Sequence, residues 1–152
     1  MAKQTAGILV YRKQENNLQV FLVHPGGPFW KNKDAGAWSI PKGEFLADEE
    51  PLAAAKREFA EETGQTIDGD FIPLGQTRSK GGKDIHVWTI EGEVDETNVI
   101  SNTFPFEWPP RSGKMIDIPE VDRGGWFGVD EARVKINQSQ MIFIDRLMDV
   151  LH

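Results

Sequence analysis

The segment 43–64, GEFLADEEPLAAAKREFAEETG, constrains this chain more than any other. Pro51 sits where a helix can begin, because its fixed φ suits a first turn and its missing N–H needs no partner there. Leu52, Ala55 and Phe59 follow at helical spacing and define an apolar face. Asp48 is the expected N-cap, and Gly64 stands where a left-handed C-terminal residue is wanted. On such a helix Glu58, Glu61 and Glu62 lie at i, i+3 and i+4 and leave by one face. Like charges so spaced repel and weaken an isolated helix. A divalent cation would remove that repulsion. An all-oxygen donor set suits a hard ion such as Mg²⁺, which is usually shared with substrate phosphates. One face of the helix is therefore expected on a core and the other toward metal.

The rest of the composition narrows the setting. A chain of 152 residues is one domain by length, 1–152, and can bury a core without staples. Hydrophobic residues make up 39% and charged residues 27%, a soluble, globular balance. No apolar run is long enough to span a bilayer, and the short apolar stretch 6–11 alternates like a strand rather than a signal peptide. The absence of cysteine excludes disulfides and thiolate zinc sites and favours a cytoplasmic location. A net charge of −7 argues against broad nucleic-acid binding, which needs a basic face. An anionic small-molecule substrate stays compatible, because a bound metal and a few lysines can reverse the field of one pocket.

Along the chain, 6–11 and 18–23 read as strands joined by a hairpin loop over 13–17. Pro and Gly break regular structure across 24–36, and 38–40 reads as a short strand leading into the helix segment. Residues 71–79 and 84–94 read as strands around Lys80-Gly81-Gly82-Lys83, a turn signal. A further strand is expected at 126–129, and Asp130 is placed to cap a short helix. Asn137 is expected to open a final helix with Gln140 as its capping-box partner. Met141, Ile144, Leu147 and Leu151 give that helix a core-facing stripe. This pattern predicts one α/β (α+β) domain with a mixed sheet between helices.

The spacing inside the opening segment goes further. Gly43 is followed by five residues and Glu49; seven more lead to Arg57-Glu58, then Glu61-Glu62 and Gly64. This resembles the Nudix box, the loop–helix–loop signature of the Nudix hydrolases, over 43–65, with Gln65 as the one departure from an aliphatic position. Trp38-Ser39-Ile40-Pro41-Lys42 before it and Pro119-Glu120 later in the chain are similar to the branch acting on nucleoside and dinucleoside polyphosphates. The resemblance implies an α/β/α sandwich and Mg²⁺-dependent hydrolysis of a nucleoside diphosphate linked to another group, with Mn²⁺ as a substitute. Hydrolysis of nucleotide sugars or diphosphoinositol polyphosphates is the runner-up. A non-catalytic nucleotide-sensing module is a third reading, set against by the complete glutamate set.

The resemblance assigns Glu58, Glu61 and Glu62 as metal ligands, with a backbone carbonyl at Gly43 as a further one. It makes Arg57 the residue that holds the glutamates, with Glu49 as its supporting partner. The general base is either on the box helix, where Glu62 is favoured over Glu58, or at Glu120, a further metal ligand. Lys42, aimed by Pro41, and Lys83 are expected to contact substrate phosphates. Trp30 and Trp38 are expected to stack on a base, and the aromatic–proline segment 104–108 to border the same pocket. His24 and His86 read as structural histidines. Partners are therefore a nucleotide-type small molecule, with neither nucleic acid nor membrane.

Overall fold

The apolar run near the N-terminus becomes the centre of a sheet. A computed structural model describes residues 3–79 and 81–151; Lys80 lies outside them. In chain order the elements are β1 (Gln4–Gln14), β2 (Asn17–Pro25), β3 (Lys42–Glu44), α1 (Pro51–Thr63), β4 (Ile72–Arg78), β5 (Asp84–Glu91), β6 (Thr103–Glu107), β7 (Met115–Pro119), β8 (Val121–Gly128), α2 (Val129–Lys135) and α3 (Met141–Val150). A six-stranded sheet runs β4-β5-β1-β2-β8, with β3 added to β1. β1 and β5 are parallel and the other pairs antiparallel. β1 is buried from Thr5 to Tyr11 because it serves both faces. Ala6, Ile8 and Val10 join Ala54, Ala55 and Phe59 of α1, whereas Leu9 and Tyr11 join Phe143, Ile144 and Leu147 of α3. The result is an α/β/α sandwich, the expected mixed architecture.

Local details differ from the sequence expectation for physical reasons. The first hairpin turns at Glu15-Asn16, both left-handed, rather than through 13–17. A two-residue turn of that hand matches strand twist, so polar residues on either side pair instead of looping. Asp48 does not cap α1. Glu50 occupies the N-cap in extended conformation with no side-chain cap bond, and Pro51 takes the first turn. α1 buries Ala54 and Ala55, with Leu52 only partly covered. Gly64 ends it in the left-handed region at φ 73°. Gln65, the departure from the box pattern, pins the following turn: its amide donates to Asp95 O at 2.9 Å and accepts from Asp95 N at 3.0 Å. β8 starts at Val121, earlier than expected, and 103–119 forms a separate two-stranded hairpin, β6–β7.

The capping box at Asn137 does not form. Asn137 Oδ1 caps a short 3₁₀ turn by accepting from Ser139 N, but Gln140 points away from it. Gln140, 3% exposed, accepts from Ile40 N at 2.9 Å and donates to Ser39 Oγ at 3.1 Å. It thereby fixes the backbone that leads to Lys42. Gln140→Ala is expected to cost about 1–3 kcal/mol by orphaning a buried N–H. Urea unfolding of the two proteins checks this. α3 meets the sheet through Phe143 as well as Ile144 and Leu147, while Met141 and Leu151 pack only in part. No helix among the described residues is long and apolar enough to cross a membrane.

Candidate active site

One face of α1 carries Arg57, Glu58, Glu61 and Glu62, as the spacing requires. Arg57 is the organiser. Its Nε and Nη2 donate to the two oxygens of Glu49 at 2.8 and 2.9 Å, a bidentate fork. Its Nη1 donates to Glu58 Oε1 at 2.8 Å and to Glu61 at 3.1 and 3.2 Å. Three carboxylates so placed hold the guanidinium charged well above its ordinary range, Glu49 first. Glu49 ties the loop before α1 to the helix.

β1 exchanges partners along its length, pairing with β2 through Tyr11–Gln14 and with β3 through Thr5–Gly7. Pro41 and Lys42 enter beside this change of partner. Lys42 N donates to Glu62 Oε1 at 3.2 Å. At Gly43 a Cβ would overlap the Glu58 carboxylate, so the carboxylate lies directly on the glycine backbone. Burial pushes the Glu62 carboxyl up to about 8; Lys42 opposes this, and Glu120 and Glu58 add to it. Burial also raises Glu58, with Glu61 adding and Arg57 opposing. Lys42 is lowered by burial, against the pull of Glu62.

A relay of backbone hydrogen bonds brings Glu120 to this helix. The last carbonyls of α1 have no intrahelical partners, and two of them accept from a distant segment. Glu61 O accepts from Asn102 N at 2.8 Å and Thr63 O from Ile100 N at 2.9 Å. Asn102 O accepts from Glu120 N at 2.9 Å, and Glu120 O from Gly26 N at 3.1 Å. Burial and then Glu61 raise the Glu120 carboxyl.

Lys42, Glu62, Glu120 and Trp30 line one cleft of about 230 Å³, together with Ser39, Asn137 and Gln140. The last three were read as strand or cap residues. Only the packing of the 3₁₀ turn against 38–40 gives them a cleft wall. Lys83 is close enough to lower Lys42 further. Trp38 does not belong to the cleft. It is 5% exposed, its indole N–H donates to Asp34 at 2.8 Å, and its ring packs against His24, Phe127 and Arg123. No ring face is left for a base, because 38–40 runs beneath the cleft and contributes alternate side chains to the core. His24 is fully buried, with Nδ1 at 3.0 Å from Asp122 and Nε2 at 2.6 Å from Lys33 O. It ties the 26–36 loop to the strand that follows Glu120.

The acidic groups fit a hard cation by their chemistry. Glu61 and Glu120 disfavour ionisation at Glu58, and Glu120 and Glu58 do so at Glu62, so all four share one field of negative charge. All their donors are oxygen, which suits Mg²⁺ or Mn²⁺. Among the described residues no three acidic or histidine side chains stand close enough to enclose an ion as arranged. Arg57 holds Glu58 and Glu61 to itself.

Comparison places this fold and box. The NUDIX domain model matches residues 1–147. A Caenorhabditis elegans Ap4A hydrolase in a binary complex is 18% identical, covers 99% of this chain and 98% of its own, and superposes with a TM-score of 0.64. The NUDIX domain of Shewanella oneidensis NrtR complexed with ADP ribose is 18% identical, with 100% and 90% covered and a TM-score of 0.68. A mutT/nudix family protein from Listeria innocua is 19% identical, with 98% and 93% covered and a TM-score of 0.63. Among curated proteins none matches. The chain belongs to the NUDIX family. The three superposed structures share its fold over nearly the whole chain.

Proposed function

We propose that the chain hydrolyses a phosphoric anhydride in a nucleoside diphosphate linked to a second group, using Mg²⁺ or, in its place, Mn²⁺. Nucleoside and dinucleoside polyphosphates are the favoured substrates. The observation that carries this reading is the meeting of Glu62, Glu120 and Lys42 in one cleft beside Arg57-held Glu58 and Glu61. The similarity to an Ap4A hydrolase and to a domain complexed with ADP ribose supports a nucleotide ligand.

Glu58, Glu61 and Glu62, with the Gly43 carbonyl and Glu120, would hold the ion. Bound there, it would screen phosphate charge and make water more acidic. Arg57 and Glu49 position the glutamates. Lys42 and Lys83 bind phosphate oxygens, and Trp30 borders the path of the nucleoside. Glu62 is the favoured proton acceptor because burial already gives its carboxyl a raised affinity for a proton. Glu58 is the alternative on the helix, and Glu120 the alternative from the loop. Hydrolysis of a nucleotide sugar uses the same groups and is the second substrate reading. A diphosphoinositol polyphosphate would want more cations than Lys42 and Lys83 supply. We propose a cytoplasmic location on the absence of cysteine.

Phosphate release from a nucleotide panel, with and without Mg²⁺, tests the reading. Binding without turnover across the panel would favour a sensing module. Glu120 separates the helix from the loop. It lies in the connection between β7 and β8, held by backbone bonds, rather than on a packed helix. Glu120 joins the ion only once substrate phosphates are bound, so Glu120→Gln is expected to lower kcat sharply while calorimetric Mg²⁺ affinity of the free protein holds. A kcat within about twofold, under ~0.5 kcal/mol of barrier, makes Glu120 a bystander.

A further inference from the structure

A second cavity, of about 400 Å³, opens between the 26–30 turn and the β6–β7 hairpin. Its walls are Phe29 and Trp30 on one side and Phe104, Phe106, Trp108 and Ile118 on the other. The hairpin register explains the second wall. Phe104 pairs with Ile118 and Phe106 with Ile116, so alternate side chains of both strands share one face. The Phe106 and Trp108 rings lie 6.3 Å apart and 26° from parallel, and Phe29 meets Trp30 edge-on at 5.0 Å. At Gly26 a Cβ would overlap Pro119 O, and at Gly27 one would fall 2.6 Å from Ile118 Cδ1. The glycine pair is what lets the hairpin close on the turn.

The slot is built but not filled by protein. Phe29 is 59% exposed, Ile116 39% and Trp108 38%, an unusual concentration of large apolar surface. Trp30 borders both this slot and the polar cleft of Lys42, Glu62 and Glu120. Glu120 itself follows directly on β7. A ligand with phosphates in the cleft would therefore deliver its attached group past Trp30 into the slot.

We infer that the slot between the 26–30 turn and the β6–β7 hairpin receives the nucleobase, and that it accepts different bases with little discrimination. This rests on the proposed nucleotide anhydride reading. Stacking uses the π-face that every base has. Among the side chains lining the slot, the indole N–H groups of Trp30 and Trp108 are the only polar atoms. A pocket built to hydrogen-bond a ligand rejects one lacking the partner group by about 10⁴–10⁵-fold, whereas an apolar pocket discriminates by about 10–200-fold.

The test is calorimetric binding to the whole chain with Mg²⁺. The probes are methylene-bridged triphosphates of adenosine, guanosine, cytidine and uridine, beside inorganic tripolyphosphate. The four nucleotides should bind within about tenfold of one another, and more tightly than tripolyphosphate. Phe106→Ala should weaken each nucleotide about tenfold or more and leave tripolyphosphate unchanged, and Phe106→Tyr should restore affinity. Should Phe106→Ala fail to fold, Trp108→Ala on the exposed rim carries the same comparison. Unchanged nucleotide affinity in a folded variant overturns the inference. So does equal loss for tripolyphosphate, equal wild-type affinity for it, or no nucleotide binding at all. A thousandfold preference for one base overturns the lack of discrimination. A wild-type dimer in sedimentation that Phe106→Ala dissociates, with nucleotide affinity intact, makes the face a contact between two copies instead. Nucleotide turnover by the wild type alongside any of these failures leaves the anhydride reading standing; binding as expected without turnover removes that reading and keeps the slot.

Discussion

Glu62→Gln should lower kcat/KM by about two or more orders of magnitude, the loss expected when a group acting electrostatically on the transition state is removed. The amide keeps the size of the carboxyl, and its oxygen can still accept from Lys42 N, which now does so at 3.2 Å. What it loses is the charge that would meet a cation and the ability to take a proton. Metal-free stability should move the other way. Burial, with Glu120 and Glu58 adding, pushes the Glu62 carboxyl up to about 8 from an ordinary value of 4.5. Between those values the folded protein holds a proton that the unfolded chain releases, so the stability contributed by this group falls as pH rises through the window. Glutamine does not titrate. In chelator, the decline of melting temperature between about pH 5 and pH 8 should therefore be shallower for Glu62→Gln than for wild type. Thermal melts across that range, beside kinetics with Mg²⁺, give both readings. Turnover at the wild-type rate by both Glu62→Gln and Glu61→Gln would remove the helix face from the chemistry.

The second large effect is expected at a residue with no functional group. Gly43→Ala puts a methyl where the Glu58 carboxylate now lies. The atoms in the way are the tip of a flexible side chain, so Glu58 moves and the fold absorbs the change. The movement breaks the 2.8 Å contact with Arg57 Nη1 and shifts a proposed metal ligand. Misplacing such a group by about 1 Å can cost on the order of 10²-fold. Activity should fall by about that factor, while the melting temperature stays within about 2–4 °C of wild type, the shift expected for 1 kcal/mol in a chain of this size. Calorimetric Mg²⁺ titration should show weaker binding. Wild-type activity in Gly43→Ala would mean that Glu58 does not need its place on the glycine backbone.

Much of the site was legible because it is local. Arg57, Glu58, Glu61 and Glu62 lie within two turns of one helix, and helical geometry alone gathers them on a face. The pairing with Glu49 came with the resemblance to the box, and the close approach of Glu58 to Gly43 only with the structure. Glu120 was legible only by resemblance, because a hydrogen-bond relay through Asn102 and the α1 carbonyls carries it there. Trp38 shows the opposite case. A single aromatic is more often core than stacking wall, and the bond from the Trp38 indole to Asp34 and its packing on Phe127 decide for the core. Gln140 has the spacing of a capping box, yet a buried Ile40 N–H competes for its side chain and wins.

The sequence by itself determined the helix, its two faces, the oxygen-only donors and the alternation of strands, since each follows from backbone periodicity over a few residues. Only the tertiary structure decided which distant groups share a cavity. Strand order in the sheet, the change of β1 between β2 and β3, and the docking of the β6–β7 hairpin on Gly26-Gly27 are products of long-range pairing. Such pairings are selected by burial and hydrogen-bond satisfaction over the whole chain at once, and no local pattern encodes them.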